Sequence, residues 1–149
     1  MPSALVVDDD VGIRKLLTFV LREYDYSVQA AAHGGYALDI LRRSGEGMIV
    51  TLGLVMPIVN GAAVLEAVAE DETLAARHVF IMVTGCTPGA ESGRVAALRN
   101  YLGVPLLPKP FTLEQIDEAI TEAARRMYDR QGWYTAGGVF FAAKSAGES

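Results

Sequence analysis

The chain has 149 residues, 51% hydrophobic and 21% charged, which is enough for one globular domain with a core and too little for two full domains. Its 15 glycines and 6 prolines are too few for a low-complexity chain, and the charged fraction does not suit a disordered acidic tail. A formal charge of −5 argues against a nucleic-acid partner held by counterion release, and the pairs Arg42-Arg43 and Arg125-Arg126 read as solvated helix faces.

Along the chain, strand-length apolar runs alternate five times with amphipathic segments. Ala4 to Val7 is a fully apolar run of the kind covered on both faces of a parallel sheet, and it closes on Asp8, Asp9 and Asp10. Ile13, Leu16, Leu17, Val20, Leu21 and Tyr24 then recur at helical spacing, with Asp10 placed to cap the helix start. Val28 to Ala32 predicts a second strand, Gly34-Gly35 a turn, and Ala37, Ile40 and Leu41 a short helix. Met48 to Leu52 is a third strand, and Asn60-Gly61 opens a helix through Val64, Leu65 and Val68. Val79 to Val83 is the fourth strand, followed by the weakly marked helix of Val95, Leu98 and Leu102, and Leu106-Leu107 is the fifth. Thr112 to Gln115 has the pattern of a capping box, and Leu113, Ile116, Ile120, Ala123 and Met127 are predicted to line one face of the last helix.

This alternation predicts an α/β fold, a doubly wound parallel sheet with right-handed crossovers. Ligands of such sheets bind at the carboxyl ends of the strands. Strand one ends in the three aspartates, strand four in Thr84-Gly85 and strand five in Pro108-Lys109-Pro110. Carboxylates, a hydroxyl and an ammonium should therefore converge on one crevice, the chemistry of a divalent-cation and phosphoryl site.

Leu5 to Asp9, Met56-Pro57 with Asn60-Gly61, Val83-Thr84-Gly85 and Lys109-Pro110-Phe111, in that order and spacing, resemble the signature blocks of two-component response-regulator receiver domains. The resemblance covers roughly residues 3 to 127. It implies a CheY-like, flavodoxin-like five-stranded sheet of order 2-1-3-4-5, and it leaves residues 128–149 as a C-terminal extension. It also implies that Asp8, Asp9 and the backbone carbonyl of Val55 are the Mg²⁺ ligands, that Thr84 and Lys109 contact phosphate, and that position 106 is the switch residue. A protein partner follows: a histidine kinase, a phosphotransfer protein or an effector.

Two positions depart from the family pattern. The aspartate that accepts phosphate is replaced by Gly53, and no Asp or Glu occurs from Gly47 to Leu65. Glycine has no side chain to attack a phosphodonor, so aspartyl phosphorylation there is chemically impossible. The site also loses a metal ligand, so no cofactor is required and Mg²⁺ should bind weakly at best. At the switch position an aromatic is common, and here it is Leu106. Lys109 is expected to pair with Asp8 or Asp9 instead, with Thr84 satisfying backbone groups.

The sequence therefore reads as a stand-alone pseudo-receiver, a non-enzymatic interaction module of two-component signalling. Its rival is a working phosphorelay receiver, phosphorylated at Asp8 or Asp9 or carrying an altered residue 53. A flavin or nucleotide binder is disfavoured, because three adjacent aspartates would repel an anionic cofactor. His33 and His78 are expected at the surface, with no catalytic or metal role. The single cysteine, Cys86, excludes an internal disulfide and reads as a small buried residue of a protein in a reducing compartment. No run reaches the roughly 18 apolar residues of a membrane span, and a strand begun by Ser3 leaves no room for a signal peptide, so a cytoplasmic location is expected.

The extension carries five of the chain's aromatics between Tyr128 and Ser149, with Ala-Gly-Gly between two aromatic runs. A solvated tail would be poor in such residues. A hairpin or returning loop is predicted. It either covers the domain's own surface or docks a partner, a homodimer included.

Overall fold

The computed structural model describes residues 2–56, 58–85, 92–131, 133–136 and 139–142. The elements in chain order are β1 (Ser3–Val7), α1 (Val11–Glu23), β2 (Ser27–Ala31), α2 (Gly34–Arg43), β3 (Met48–Gly53), α3 (Gly61–Ala69), α4 (Glu72–Arg77) and β4 (Val79–Thr84). They continue with α5 (Gly93–Leu102), β5 (Leu106–Pro108), α6 (Leu113–Gln131), β6 (Trp133–Ala136) and β7 (Val139–Ala142). The first five strands form one parallel sheet in the order β2-β1-β3-β4-β5, the predicted doubly wound topology.

Alternation along the central strands divides the core into two layers. Leu5 and Val7 of β1, Val50 and Leu52 of β3 and Met82 of β4 pack under α2, α3 and α4. Ala4, Val6, Ile49, Ile81 and Val83, on the opposite face, pack under α1 and α6. Each large apolar side chain buried this way contributes about 1.5–3 kcal/mol. β2 forms the edge and is mostly exposed except at Ala31.

Local chemistry sets the helix boundaries. Asp10 caps α1 by accepting from the backbone N–H groups of Gly12 (2.8 Å) and Ile13 (3.2 Å). The capping box of α6 is formed reciprocally: the Thr112 N–H donates to the Gln115 side chain at 2.8 Å, and the Gln115 N–H donates to the Thr112 hydroxyl at 3.1 Å. α5 ends on Gly103 at φ 69°, the left-handed conformation that glycine adopts at no steric cost.

Four expectations need correction. Gly34-Gly35 is the start of α2, where His33 caps the helix by accepting from the Tyr36 N–H at 3.3 Å; a Cβ on Gly34 would collide with the Val59 carbonyl oxygen and Val64 side chain. Leu113 occupies the first turn of α6 and is 68% exposed, so the buried face consists of Ile116, Ile120, Ala123, Ala124 and Met127. The short α4 was not foreseen, although Asp71 caps it through the N–H groups of Thr73 and Leu74.

The fourth correction is His78, which is only 1% exposed. Its Nδ1 accepts from the Met48 N–H at 3.1 Å, which leaves Nε2 protonated to donate to the Leu41 carbonyl at 3.2 Å. The ring thereby ties the end of α2, the start of β3 and the entry to β4 together. Burial pulls its pKa from 6.5 down to about 4, aided by the charges of Arg77 and Arg130 and opposed by the bond to Leu41. Arg130 of α6 reaches the same corner, donating to the carbonyls of Ala75 and His78 at 3.1 and 2.7 Å.

Among the described residues no helix is long and apolar enough to cross a membrane. Cys86 lies outside the described residues. α6 runs on to Gln131, so a boundary after residue 127 falls inside this helix, and β6 and β7 beyond it pair antiparallel.

Candidate functional site

The carboxyl ends of β1, β3, β4 and β5 meet at one edge of the sheet. Asp8 follows β1 immediately and is 1% exposed. Such a buried carboxylate must be paired to be tolerated. Its Oδ2 accepts from the Lys109 ammonium at 3.1 Å and its Oδ1 from the Asp10 backbone N–H at 2.9 Å. Its backbone carbonyl accepts from the Arg14 guanidinium at 2.7 Å, a partner that no sequence motif pointed to. Of the two candidate acids it is therefore Asp8 that takes the lysine, while Asp9 is exposed.

Lys109 is placed by the continuation of β5: its backbone N–H donates to the Thr84 carbonyl at 2.6 Å, and it precedes a cis peptide bond to Pro110. This brings Thr84 and Lys109 to a shared crevice of about 220 Å³, also lined by Gly53, Leu54, Val55, Val83 and Gly85. Thr84 is buried, and Val55 at the rim is 75% exposed. Leu106, the first residue of β5, pairs with Met82 and packs on the layer under α2 and α3.

Gly53 sits at the last position of β3, buried, opposite Val83 of β4. A Cβ added there would lie 3.0 Å from Asp8 Oδ2 and 3.3 Å from its Cγ and from the Val7 carbonyl oxygen. The Asp8 carboxylate, paired with Lys109, thus borders the space that a side chain at position 53 would claim. Gly53 is held by its place in the β3–β4 ladder, and the next residue is fixed by its backbone: the Leu54 N–H donates to the Val83 carbonyl at 3.3 Å, and the Gly61 N–H to the Leu54 carbonyl at 2.9 Å. Gly61 has no room for a Cβ, which would overlap the Gly53 carbonyl oxygen.

The sequence-predicted metal donors are Asp8, Asp9 and the Val55 carbonyl. Among the described residues no three His, Cys, Asp or Glu side chains are grouped closely enough to hold an ion. Both oxygens of Asp8 are already engaged, and position 53 supplies no side-chain oxygen. Among the sequence-predicted ligands, Asp9 and the Val55 carbonyl remain, and Mg²⁺ is ordinarily held through one or two carboxylates with several waters in its octahedron.

Comparison with known proteins gives one consistent picture. Residues 4–121 match the family described as the response regulator receiver domain. The chain is 31% identical over 124 residues to a probable transcriptional regulator ycf27 of Porphyridium aerugineum, covering 83% of this chain and 48% of that protein. It is 28% identical over 127 residues to the chemotaxis protein CheY of Listeria monocytogenes, covering 84% of this chain and all of CheY. The chain thus spans about half the length of the ycf27 relatives it matches and the whole of the CheY relatives. In fold it resembles the crystal structure of a CheY-like receiver domain protein from Methanospirillum hungatei, with a TM-score of 0.69, 23% identity, and coverage of 87% of this chain and 97% of the other.

Proposed function

This chain belongs to the response regulator receiver domain family of two-component signalling, and from that membership we propose that it is a pseudo-receiver, a protein-interaction module that does not accept phosphate at the usual position. Receiver domains bind Mg²⁺ at their phosphorylation site and interact with histidine kinases, phosphotransfer proteins and effectors. The observation that carries the proposal is Gly53, buried at the end of β3 where the acceptor carboxylate belongs, with Asp8 and Lys109 paired across it.

The chemistry follows from that arrangement. Phosphoryl transfer to a receiver needs an attacking carboxylate, a metal to neutralise the developing charge, and cationic and hydroxyl groups for the phosphoryl oxygens. Here only the last two, Lys109 and Thr84, border the crevice. Lys109 neutralises Asp8 instead, and Mg²⁺ has too few free oxygens for more than weak binding. A ligand shifts a conformational equilibrium only through unequal affinity for its states. With no covalent phosphate to draw Thr84 and Lys109 inward, one conformation is held, and partners read that fixed surface.

Incubation of the full chain with acetyl phosphate and Mg²⁺, followed by intact mass, tests this. The expected result is no phosphoryl adduct; a stable adduct on Asp8, Asp9 or elsewhere would overturn the proposal in favour of a working phosphorelay receiver. Gly53→Asp is expected to gain beryllofluoride and Mg²⁺ binding, after Asp8 shifts to relieve the 3.0 Å approach to the new side chain.

A further inference from the structure

The chain carries a net charge of −5, yet one flank of α1 is basic. Arg14, Lys15 and Arg22 line a groove of about 340 Å³ between α1 and β2, together with Thr18 and Phe19 of the helix and Ala30 of the strand. Among the described residues no acid lines it. Arg14 gives one N–H to the Asp8 carbonyl and keeps its other donors. Lys15 and Arg22 form no ion pair or hydrogen bond among the described residues. Phe19 is 63% exposed.

The floor of the groove is the open edge of the sheet, because β2 stands first in the strand order and pairs, among the described residues, with β1 alone. The Ser27 N–H donates to the Pro2 carbonyl at 2.9 Å, and the Ala31 carbonyl accepts from the Asp8 N–H at 3.1 Å. Ser27 and Ala31 thus turn their backbone groups toward β1. Successive residues of a strand turn to alternate sides, which directs the N–H and C=O of Val28 and Ala30 outward. Both residues carry their side chains on the α1 face: Val28 packs against the layer of Leu17, Val20 and Leu21, and Ala30 is exposed in the groove. The strand has neither charge nor proline to blunt its edge. Backbone donors and acceptors at strand spacing therefore lie beside three cations and an aromatic ring.

We infer that this groove receives an extended acidic peptide of a partner protein, added as a further strand beside β2 and beneath the basic flank of α1. The alternating N–H and C=O groups of the edge are matched by another polypeptide and by no nucleotide or lipid. The cations then set the sequence. Arg14 and Arg22 stand about 12 Å apart along the helix axis, close to the roughly 13 Å between residues four apart in a strand. A peptide with acids at two such positions and an apolar residue midway places a carboxylate at each arginine and the apolar side chain against Thr18 and Phe19. A second copy of this chain is the poorer occupant, because pairing two β2 edges across a two-fold axis would bring two basic flanks together.

The probes are capped heptapeptides of Ser and Thr whose second, fourth and sixth residues are each Glu, Gln, Lys or Val, offered to the full chain and followed by amide NMR. The tightest binding is expected for Glu, Val and Glu at those positions. Replacing both Glu by Gln should weaken it roughly 2- to 30-fold, the range of two exposed ion pairs. Amide exchange at Val28 and Ala30 should slow on binding. Lys15→Glu combined with Arg22→Glu, both exposed positions, should remove the preference for Glu over Lys with unchanged far-UV circular dichroism. No binder in the set, equal binding of the Glu and Gln peptides, or binding without slower exchange at Val28 and Ala30 would overturn the inference. So would slowing of both amides with protein concentration alone, the mark of a second copy in the groove. The probes contain neither phosphate nor metal, so failure here is distinct from failure of the Gly53 reading.

Discussion

The Asp8–Lys109 pair can be tested quantitatively with a double-mutant cycle of Lys109→Met, Asp8→Asn and the combination. The charged atoms are 3.1 Å apart, with side-chain exposures of 27% for the lysine and 2% for the aspartate. At an effective dielectric constant of about 20 the attraction alone is roughly 5 kcal/mol. Desolvation of the buried carboxylate and solvent screening of the partly exposed ammonium take back much of this. A net coupling of about 1–3 kcal/mol is expected, with Lys109→Met the most harmful change because it strands Asp8 with only the Asp10 N–H on its carboxylate. Asp8→Asn in the Lys109→Met background should recover part of the loss. The assay is urea unfolding with a constant slope, where a difference of 2 kcal/mol moves the midpoint by about 1 M. Additive single changes, with coupling below about 0.5 kcal/mol, would refute the idea that this pair holds the crevice in one state.

Two further predictions concern buried polar groups. His78 titrates near 4 in the folded chain against 6.5 when unfolded, so the unfolded state binds more protons between those values. The stabilisation is complete above pH 6.5 and is lost as pH falls through 4, by about 3 kcal/mol in total; ring titration by NMR should return the low value, and His78→Leu should flatten that part of the pH profile. Thr51, buried on the same face as Ile49, has a hydroxyl with no hydrogen-bond partner among the described residues. Thr51→Val should therefore stabilise by about 1 kcal/mol and raise Tm by a few degrees, and a fall in Tm would reveal a partner for the hydroxyl.

The five βα units were legible because buried parallel strands are written as continuous apolar runs and amphipathic helices as a 3.6-residue period. Caps were legible for the same local reason, as Asp10 and Thr112 show. What escaped was non-local. His78 looks like a lone polar residue at a strand start, yet its partners are backbone groups of Leu41 and Met48, some 37 and 30 positions away. Leu113 fits the apolar period of its helix, but it stands in the first turn of α6 and is left in solvent. The order of blocks identified Asp8, Asp9, Thr84 and Lys109 as neighbours. Choosing Asp8 over Asp9 required the geometry of the turn after β1, which buries the first acid and exposes the second.

The frame around position 53 has a genetic corollary. Its place in the ladder, the bonds of Leu54 next to it and the tight approach of Gly61 are all backbone features that no side chain at 53 takes part in. Two of the four glycine codons differ from an aspartate codon by a single base in the second place, and the other two by one base more. One or two nucleotide changes, with a small rotation of Asp8, therefore separate a crevice without an acceptor from one that has it, and selection could move a lineage across that step in either direction without rebuilding the fold.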